Sequence, residues 1–213
     1  MNTYVINIKT REDRRQLMDV MLRENGFEIP EEGKKNEVGY EAPDLRVEWT
    51  THWDYNKVGD EITDKWLDDN GFKLFDWEMD EGEALSIDSA WAKWWSRPLT
   101  KGEIGCTLSH WAIWNECDGP VTILEDDAVF DKNMELQRDI AIDTLEVMGE
   151  EWDLLYLGRV PQILPEKEVA KNIVKPHFSY CTYGYVLSKS GIEKIRKYNV
   201  HKGIIPADEF LCS

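Results

Sequence analysis

The feature that most constrains this chain is a run of β-prone, mostly apolar residues that ends abruptly in three acids. Residues 121–130 read V-T-I-L-E-D-D-A-V-F, and the stretch Val121–Leu124 predicts a strand buried on both faces. Glu125, Asp126 and Asp127 follow directly, and carboxylates at the end of a buried strand are costly to desolvate unless a positive charge meets them. Mg²⁺ or Mn²⁺ would provide that charge, since both prefer oxygen ligands and often bind phosphate as well. A solvated turn with three surface acids is the alternative.

The composition argues against several classes of binding partner and metal or disulfide site. With 213 residues, 42% of them hydrophobic, the chain can form one sizeable folded domain. The formal net charge of −17 argues against nucleic acid or an anionic membrane as a partner, because both require neutralisation by Lys and Arg. The four cysteines lack C-x-x-C spacing, which favours reduced thiols over a zinc site or a disulfide framework. We find no signal-peptide pattern and no apolar run of about 18 residues, so we expect a cytoplasmic protein without a transmembrane segment.

The beginning of the chain has the pattern of an α/β unit. Tyr4–Ile8 predicts a buried strand, and Thr10 begins a capping-box-like sequence before an amphipathic helix that stops near Gly26. The loop and first helical turn between them carry three basic residues: Arg11, Arg14 and Arg15. At the end of a parallel strand, beside a helix N-terminus, such residues can hold a nucleotide diphosphate. A solvated basic helix face, balanced by neighbouring acids, is the alternative.

Alternation and capping signals predict further elements along the chain. Strands are predicted at 45–49, 72–77, 121–124, 153–157 and 181–187. Helices are predicted to begin at Thr100, where Glu103 completes a capping box, at Ser188 and at Pro206, with a longer helix over 131–151. Residues 27–70 have the weakest pattern, and we interpret them as a variable insertion on the substrate side.

The predicted helix after Thr100 contains three residues of functional interest. Gly105 lowers helix stability, which indicates that a neighbour or a ligand approaches the backbone closely there. The adjacent Ser109 and His110 are not a nucleophile–base dyad, because neighbouring helix residues point about 100° apart. We expect His110 either to form a hydrogen bond within the fold or to line a donor pocket.

Four separated blocks of this sequence resemble one protein family. They are R-P-L-T-K-G-E-I-G-C-T-L-S-H (97–110), I-L-E-D-D (123–127), W-D-L-L-Y-L-G-R (152–159) and P-A-D-E-F-L (206–211). Blocks similar to these recur in this order in glycosyltransferase family 25, which includes bacterial lipooligosaccharide galactosyltransferases and animal procollagen galactosyltransferases. The opening V-I-N-I-K-T-R-E-D-R-R (5–15) also resembles that family. The first and third blocks look closer to the procollagen branch.

The resemblance implies a single GT-A-type domain over residues 1–213, an α/β nucleotide-sugar-binding fold whose mostly parallel central sheet is flanked by helices. It implies an inverting, Mn²⁺- or Mg²⁺-dependent transfer of a hexose, most commonly galactose, from a UDP-sugar to a glycan or hydroxylysine-type protein acceptor. By position, Glu125 and Asp127 would hold the metal, and Asp208 and Glu209 are the candidates for the base that deprotonates the acceptor hydroxyl. The candidates for contacts with the UDP-sugar are Arg11, Arg14, Lys101, Gly105, His110 and Asp126.

GT-A enzymes often take a further metal ligand, typically His, from beyond the late acidic pair. The chain stops at Ser213, shortly after Glu209, so we expect a domain that is truncated at its C-terminus. A truncated, catalytically inactive nucleotide-sugar-binding domain is therefore the alternative to an active transferase. A different metal-dependent α/β enzyme, such as a phosphohydrolase, is a third hypothesis.

Overall fold

A β-sheet forms the centre of the molecule, and helices pack on both of its faces. The computed structural model describes residues 1–8, 10–27, 29, 47–50, 62–75, 98–162 and 164–212. Their strands are β1 (Asn2–Ile6), β2 (Val47–Thr50), β3 (Val121–Glu125), β4 (Leu154–Pro161), β5 (Lys167–Ala170), β6 (Ile173–Lys175) and β7 (Ser179–Leu187). Their α-helices are α1 (Glu12–Glu24), α2 (Asp64–Asp69), α3 (Lys101–Glu116), α4 (Met134–Met148), α5 (Lys189–Lys197) and α6 (Ala207–Cys212), and a 3₁₀ turn occupies Val200–Lys202.

The main sheet has the strand order β2-β1-β3-β7-β4 and mixed strand directions. β1 is parallel to β2 and β3, whereas β7 is antiparallel to β3 and β4, and β5 and β6 form a separate antiparallel pair. Among the described strands of the main sheet, two of the four pairings are antiparallel, so the prediction of a mostly parallel central sheet is wrong. The reason is the return of the chain after β4: it passes through the β5–β6 hairpin and re-enters the sheet beside β4 as an antiparallel neighbour, without a crossover helix.

β3 is buried on both faces, as its sequence predicts. On one face Ile123 packs into a cluster that includes Trp114 of α3. On the other face Leu124 packs with Met18 and Leu22 of α1. Full burial of an aliphatic side chain contributes about 1.5–3 kcal/mol, so the two helices fix β3, and the acids that follow it, from both sides.

The capping box predicted at Thr100 is present. Glu103 N–H donates to Thr100 Oγ1 at 3.2 Å, and Thr100 N–H donates to the Glu103 carboxylate at 2.7 Å. The cap predicted at Thr10 is wrong, because a turn closed by Arg11 N–H and Ile8 C=O (2.7 Å) comes first and α1 begins at Glu12. The helix predicted after Pro206 is confirmed as α6.

Several predicted boundaries shift in the structure. The strand predicted to end before Gly158 continues to Pro161, and its extra residues pair with the beginning of β7. Of the strand predicted at 72–77, Leu74 forms an isolated bridge with Ile204, and residues 76–77 lie outside the described residues. Within the described residues, no helix is both long enough and apolar enough to cross a lipid bilayer.

Candidate active site

The candidate site lies where the ends of β1 and β3 meet the bent first half of β7. Because β1 and β3 are parallel and adjacent, Asn7 and the three acids follow their C-terminal ends on the same side of the sheet. β7 approaches β3 closely at Gly184, where an added Cβ would lie 2.9 Å from a Leu124 methyl carbon. This close pairing brings the residues just before Gly184 beside Glu125.

Asp126 points back into the fold and joins β1 to β3. Its carboxylate accepts hydrogen bonds from Asn7 Nδ2 (2.8 Å), the N–H of Ile8 (3.3 Å) and Arg14 (2.8 Å), and the residue is only 6% exposed. Arg14 also pairs with Asp127 at 3.2 Å. Arg14 therefore lies beside the acids, as its predicted role requires, while Asp126 is occupied by contacts within the fold.

Glu125 points the other way, towards α3 and β7. Its Oε1 accepts hydrogen bonds from Thr182 Oγ1 and His110 Nε2 (3.1 Å), and the Cys106 thiol approaches the same oxygen at 3.9 Å. All three donors from the described part of the chain meet Oε1, which leaves Oε2 for a ligand. Burial acts to raise the pKa of Glu125, but the contacts with His110 and Thr182 outweigh it, so the pKa lies below its usual value.

A buried series of hydrogen bonds runs from Glu125 through His110 and Tyr185 to Trp114. Trp114 Nε1–H donates to the Tyr185 hydroxyl oxygen at 2.9 Å, and that oxygen lies 2.8 Å from His110 Nδ1. All three residues are completely buried. The Glu125 carboxylate can only accept, which assigns a proton to His110 Nε2, and the Tyr185 hydroxyl can donate to Nδ1 while its oxygen accepts from Trp114.

Glu125 lies in the wall of a cavity of about 260 Å³ enclosed by β3, β7, α3 and α6. Asp208 and Glu209 lie in the same wall, so the cavity joins a predicted metal ligand to both predicted catalytic residues. A larger groove of about 680 Å³ runs between α4, β4 and β6, and none of the predicted site residues lines it.

Asp208 is fixed by two backbone donors. The N–H of Cys181 donates to Oδ2 at 2.9 Å, and the N–H of Glu209 donates to Oδ1 at 3.0 Å. Cys181 has a φ of 68° in the part of β7 where the pairing with β4 shifts register. This backbone conformation is uncommon for a residue with a side chain, and strained residues of this kind are enriched at functional sites.

Glu209 is 9% exposed and lies in the cavity wall. Burial, and after it the negative charge of Asp208, raise the pKa of Glu209 to about 7. A carboxyl group that titrates near neutral pH can take a proton from a hydroxyl group and release it again. The two acids therefore differ: Asp208 is held in place, and Glu209 is suited to proton transfer.

The remaining predicted contacts with a UDP-sugar do not line this cavity. Arg11 pairs with Asp13 of its own helical turn at 2.6 Å, and Lys101 is exposed in the first turn of α3. Gly105 is buried, and its carbonyl accepts a hydrogen bond from Ser109 Oγ at 2.8 Å. Their roles in binding a UDP-sugar, like that of the fully buried His110, stay predictions.

Three residues of the site escaped sequence analysis. Cys106 precedes His110 by one helical turn, so the sequence contained the signal that both share one face of α3. Thr182 reaches Glu125 across an antiparallel pairing, and Asn7 reaches Asp126 across a parallel one. Neither contact can be deduced before the strand order is known.

Comparison with known proteins identifies the family. The family model described as glycosyltransferase family 25 (LPS biosynthesis protein) matches residues 1–211. The chain belongs to glycosyltransferase family 25. The resemblance of the four sequence blocks is thereby confirmed.

The relatives include proteins named galactosyltransferases and proteins named inactive. Human procollagen galactosyltransferase 2 is 29% identical over 98% of this chain and 29% of its own length. Procollagen galactosyltransferase 1 of Danio rerio is 37% identical, and human inactive glycosyltransferase 25 family member 3 is 38% identical, each over 54% of this chain and 20% of its own length. The chain thus spans less than a third of the length of these relatives.

The acids at the end of β3 have the ligand chemistry that a divalent cation prefers. Glu125 and Asp127 offer carboxylate oxygens, the ligands that Mn²⁺ and Mg²⁺ prefer. Burial, and next the charge of Glu125, raise the pKa of Asp127 although Arg14 opposes them. The two carboxylates therefore repel one another, and a cation bound between them would relieve that repulsion.

Proposed function

We propose that this chain is an inverting, metal-dependent hexosyltransferase domain that transfers galactose from UDP-galactose to an acceptor hydroxyl group. The observation that supports the proposal most is the cavity shared by Glu125, Asp208 and Glu209. The wall of this cavity offers both a carboxylate suited to a cation and a carboxyl group whose pKa of about 7 suits proton transfer. Family 25 membership supports the reaction class.

Glu209 acts as the general base in this proposal. As the acceptor oxygen forms its bond to the anomeric carbon, the hydroxyl proton passes to the Glu209 carboxylate. The bond between the anomeric carbon and the phosphate oxygen breaks on the opposite side, and UDP leaves with its electron pair. One displacement of this kind inverts the anomeric configuration and needs one base, unlike the two carboxylates of most glycoside hydrolases. Asp208, held by two N–H groups, keeps the pKa of Glu209 high through its charge.

Glu125 and Asp127 would hold Mn²⁺ or Mg²⁺, whose charge stabilises the departing diphosphate when the ion is bound. Thr182 and His110 orient Glu125 through Oε1. Arg14 lies next to Asp127 and is the first candidate for a phosphate contact, with Arg11 and Lys101 as further candidates.

The buried Asn7 Oδ1 has no hydrogen-bond partner among the described residues. It lies beside Asp126, and buried acceptors without a partner are uncommon in folded proteins. The donor and acceptor classes are proposed by analogy. Two of the relatives are named procollagen galactosyltransferases, and the family description names LPS biosynthesis. Galactose is therefore the first donor to test, with a hydroxylysine-type peptide and a glycan as acceptors.

A UDP-release assay tests the proposal. We expect release from UDP-galactose to exceed release from UDP-glucose, to require Mn²⁺ or Mg²⁺, and to increase when a hydroxylysine peptide or an oligosaccharide is added. EDTA should abolish the activity, and added Mn²⁺ should restore it. Acceptor-dependent release that EDTA leaves unchanged would contradict the metal-dependent mechanism.

A catalytically inactive nucleotide-sugar-binding domain is the second candidate. Human and bovine relatives that are 38% identical over 54% of this chain are named inactive or probable inactive. In addition, Arg14 already pairs with Asp126 and Asp127, which occupies part of the acidic group. Calorimetric titration with UDP and Mn²⁺ separates the candidates, because binding without any UDP release favours the inactive domain.

A further inference from the structure

Three side chains of different chemistry meet at the wall of the cavity. Cys106 Sγ, His110 Nε2 and Glu125 Oε1 all lie within 4.8 Å of one another. The distance from Oε1 is 3.9 Å to Sγ and 3.1 Å to Nε2. Around a tetrahedral ion with bonds of about 2.0–2.3 Å, ligand atoms lie roughly 3.3–3.8 Å apart. The three atoms therefore need to move by no more than about 1 Å to bind one ion.

The types of ligand select a thiophilic cation. Thiolate, imidazole and carboxylate together suit Zn²⁺, whereas Mn²⁺ and Mg²⁺ prefer oxygen ligands alone. Cys106 and His110 lie one turn apart on α3, so two of the ligands share a rigid element whose first turn is closed by a capping box. Tyr185 lies 2.8 Å from His110 Nδ1, where zinc-bound histidines commonly donate their second N–H.

We propose that Cys106, His110 and Glu125 form a Zn²⁺ site whose fourth position is open to the cavity. Cys106 and Glu125 line the cavity, which provides the route for the ion. On binding, the Cys106 thiol releases its proton to solvent and forms the sulfur–zinc bond. His110 binds the ion through the Nε2 lone pair, so the proton of the ring lies on Nδ1 and is donated to the Tyr185 oxygen, whose own hydroxyl proton turns away from Nδ1. Release of the thiol proton makes the binding of the ion dependent on pH.

This site shares Glu125 with the proposed Mn²⁺ site, and the consequence for catalysis rests on the proposed function. Two dications that bind one carboxylate repel each other, and Zn²⁺ draws Oε1 away from its bond with Thr182. Zn²⁺ therefore weakens Mn²⁺ binding and inhibits transfer.

Titration of the metal-free whole chain with Co²⁺ tests the site. A cobalt–thiolate bond gives a sulfur-to-cobalt charge-transfer band, which oxygen ligands cannot produce. We expect this band in the wild type, its loss in Cys106→Ser and its retention in Cys181→Ser, whose thiol lines the same cavity outside the triad. Added Zn²⁺ should abolish the band by displacement. Absence of the band from the wild type, or its retention in Cys106→Ser, would overturn the proposal.

The affinity of the variants provides a quantitative measure. Loss of an outer partner of a metal ligand weakens binding roughly 10- to 100-fold, and loss of the ligand Cys106 should weaken Zn²⁺ binding by at least as much. A chromophoric chelator in competition measures this change. Zn²⁺ affinity equal to that of the wild type in Cys106→Ser would refute the site.

A measurement on the wild type alone removes any dependence on the folding of variants. Zn²⁺ should slow the alkylation of Cys106 by iodoacetamide, followed by mass spectrometry, while Cys212, also partly exposed, is alkylated at an unchanged rate. An unchanged rate at Cys106 would overturn the proposal.

UDP release in zinc-free buffer reports on the transferase separately. A chain that binds Co²⁺ through Cys106 but releases no UDP would support the zinc site and contradict the proposed function.

Discussion

At the scale of single residues, the charge of Glu125 depends on its neighbours. Burial acts to raise its pKa, and only the contacts with His110 and Thr182, assisted by Arg14, bring the pKa below the usual value. Thr182 is 4% exposed and donates its hydroxyl to Oε1, the same oxygen that His110 contacts. A change at Thr182 should therefore alter what Glu125 can bind.

Replacing Thr182 by Val preserves the shape of the side chain and removes the donor. We expect the pKa of Glu125 to rise and the affinity for Mn²⁺, measured by calorimetry, to fall roughly 10- to 100-fold. Thr182→Ser keeps the hydroxyl and should restore most of the affinity. Equal Mn²⁺ affinity in Thr182→Val and the wild type would show that this hydrogen bond does not position the carboxylate.

Glu209 should link the stability of the fold to pH. Its pKa is about 7 in the folded chain against an ordinary 4.5, so between these values the folded chain keeps a proton that the unfolded chain has lost. The stabilising contribution is complete below about pH 4.5 and is lost as the pH rises through 7. Glu209→Gln cannot ionise and therefore avoids this loss.

Urea denaturation measures the difference between Glu209→Gln and the wild type. We expect the stability of the variant relative to the wild type to increase by about 1–2 kcal/mol between about pH 5 and about pH 8. Glu193→Gln, at an exposed position of α5, is the matched control and should show no such trend. A difference that does not change with pH would contradict the raised pKa of Glu209.

Sequence reasoning found residues on both sides of the cavity but not the contacts between them. Glu125 and the pair Asp208–Glu209 were predicted because each follows a local pattern or a family block. Thr182 was missed because its importance arises only when β7 lies beside β3. Cys106 lies four residues before His110 on α3, and this helical spacing, rather than spacing between cysteines, is the signal for its position in the site.

At the scale of elements, β7 determines the shape of the site. Its residue Cys181 has a positive φ, and three residues later β7 pairs tightly with β3 at Gly184. Between these positions Thr182 reaches Glu125, and the backbone N–H of Cys181 reaches Asp208. The strands and the Thr100 capping box could be predicted because their signals are local. The direction of β7 could not, because it depends on how the chain returns after β4.

Gly184→Ala tests the close approach of β7 to β3. The added Cβ would lie 2.9 Å from a Leu124 methyl carbon in a packed core, so we expect the free energy of unfolding to fall by about 1–3 kcal/mol. Gly119→Ala is the control, since no described atom lies within 4 Å of its added Cβ, and it should change stability by less than about 0.5 kcal/mol. Equal stability of the two variants in urea would contradict the tight pairing.

At the scale of the whole molecule, the sequence blocks that revealed the family come together in space. Three of the four supply the wall of the cavity: 97–110 contributes Cys106, 123–127 contributes Glu125, and 206–211 contributes the late acidic pair. The fourth block, 152–159, includes most of β4, which pairs with β7 and supports its bend.

The pH dependence of UDP release in the wild type and in Glu209→Gln tests most directly whether this cavity is an active site. We predict that kcat of the wild type with UDP-galactose and Mn²⁺ rises with pH to a plateau above about 7. Glu209→Gln should lower kcat by about 10²- to 10⁴-fold and abolish this rise, whereas Glu193→Gln should behave as the wild type. A Glu209→Gln variant that keeps the wild-type kcat and pH profile would contradict the assignment of Glu209 as the base.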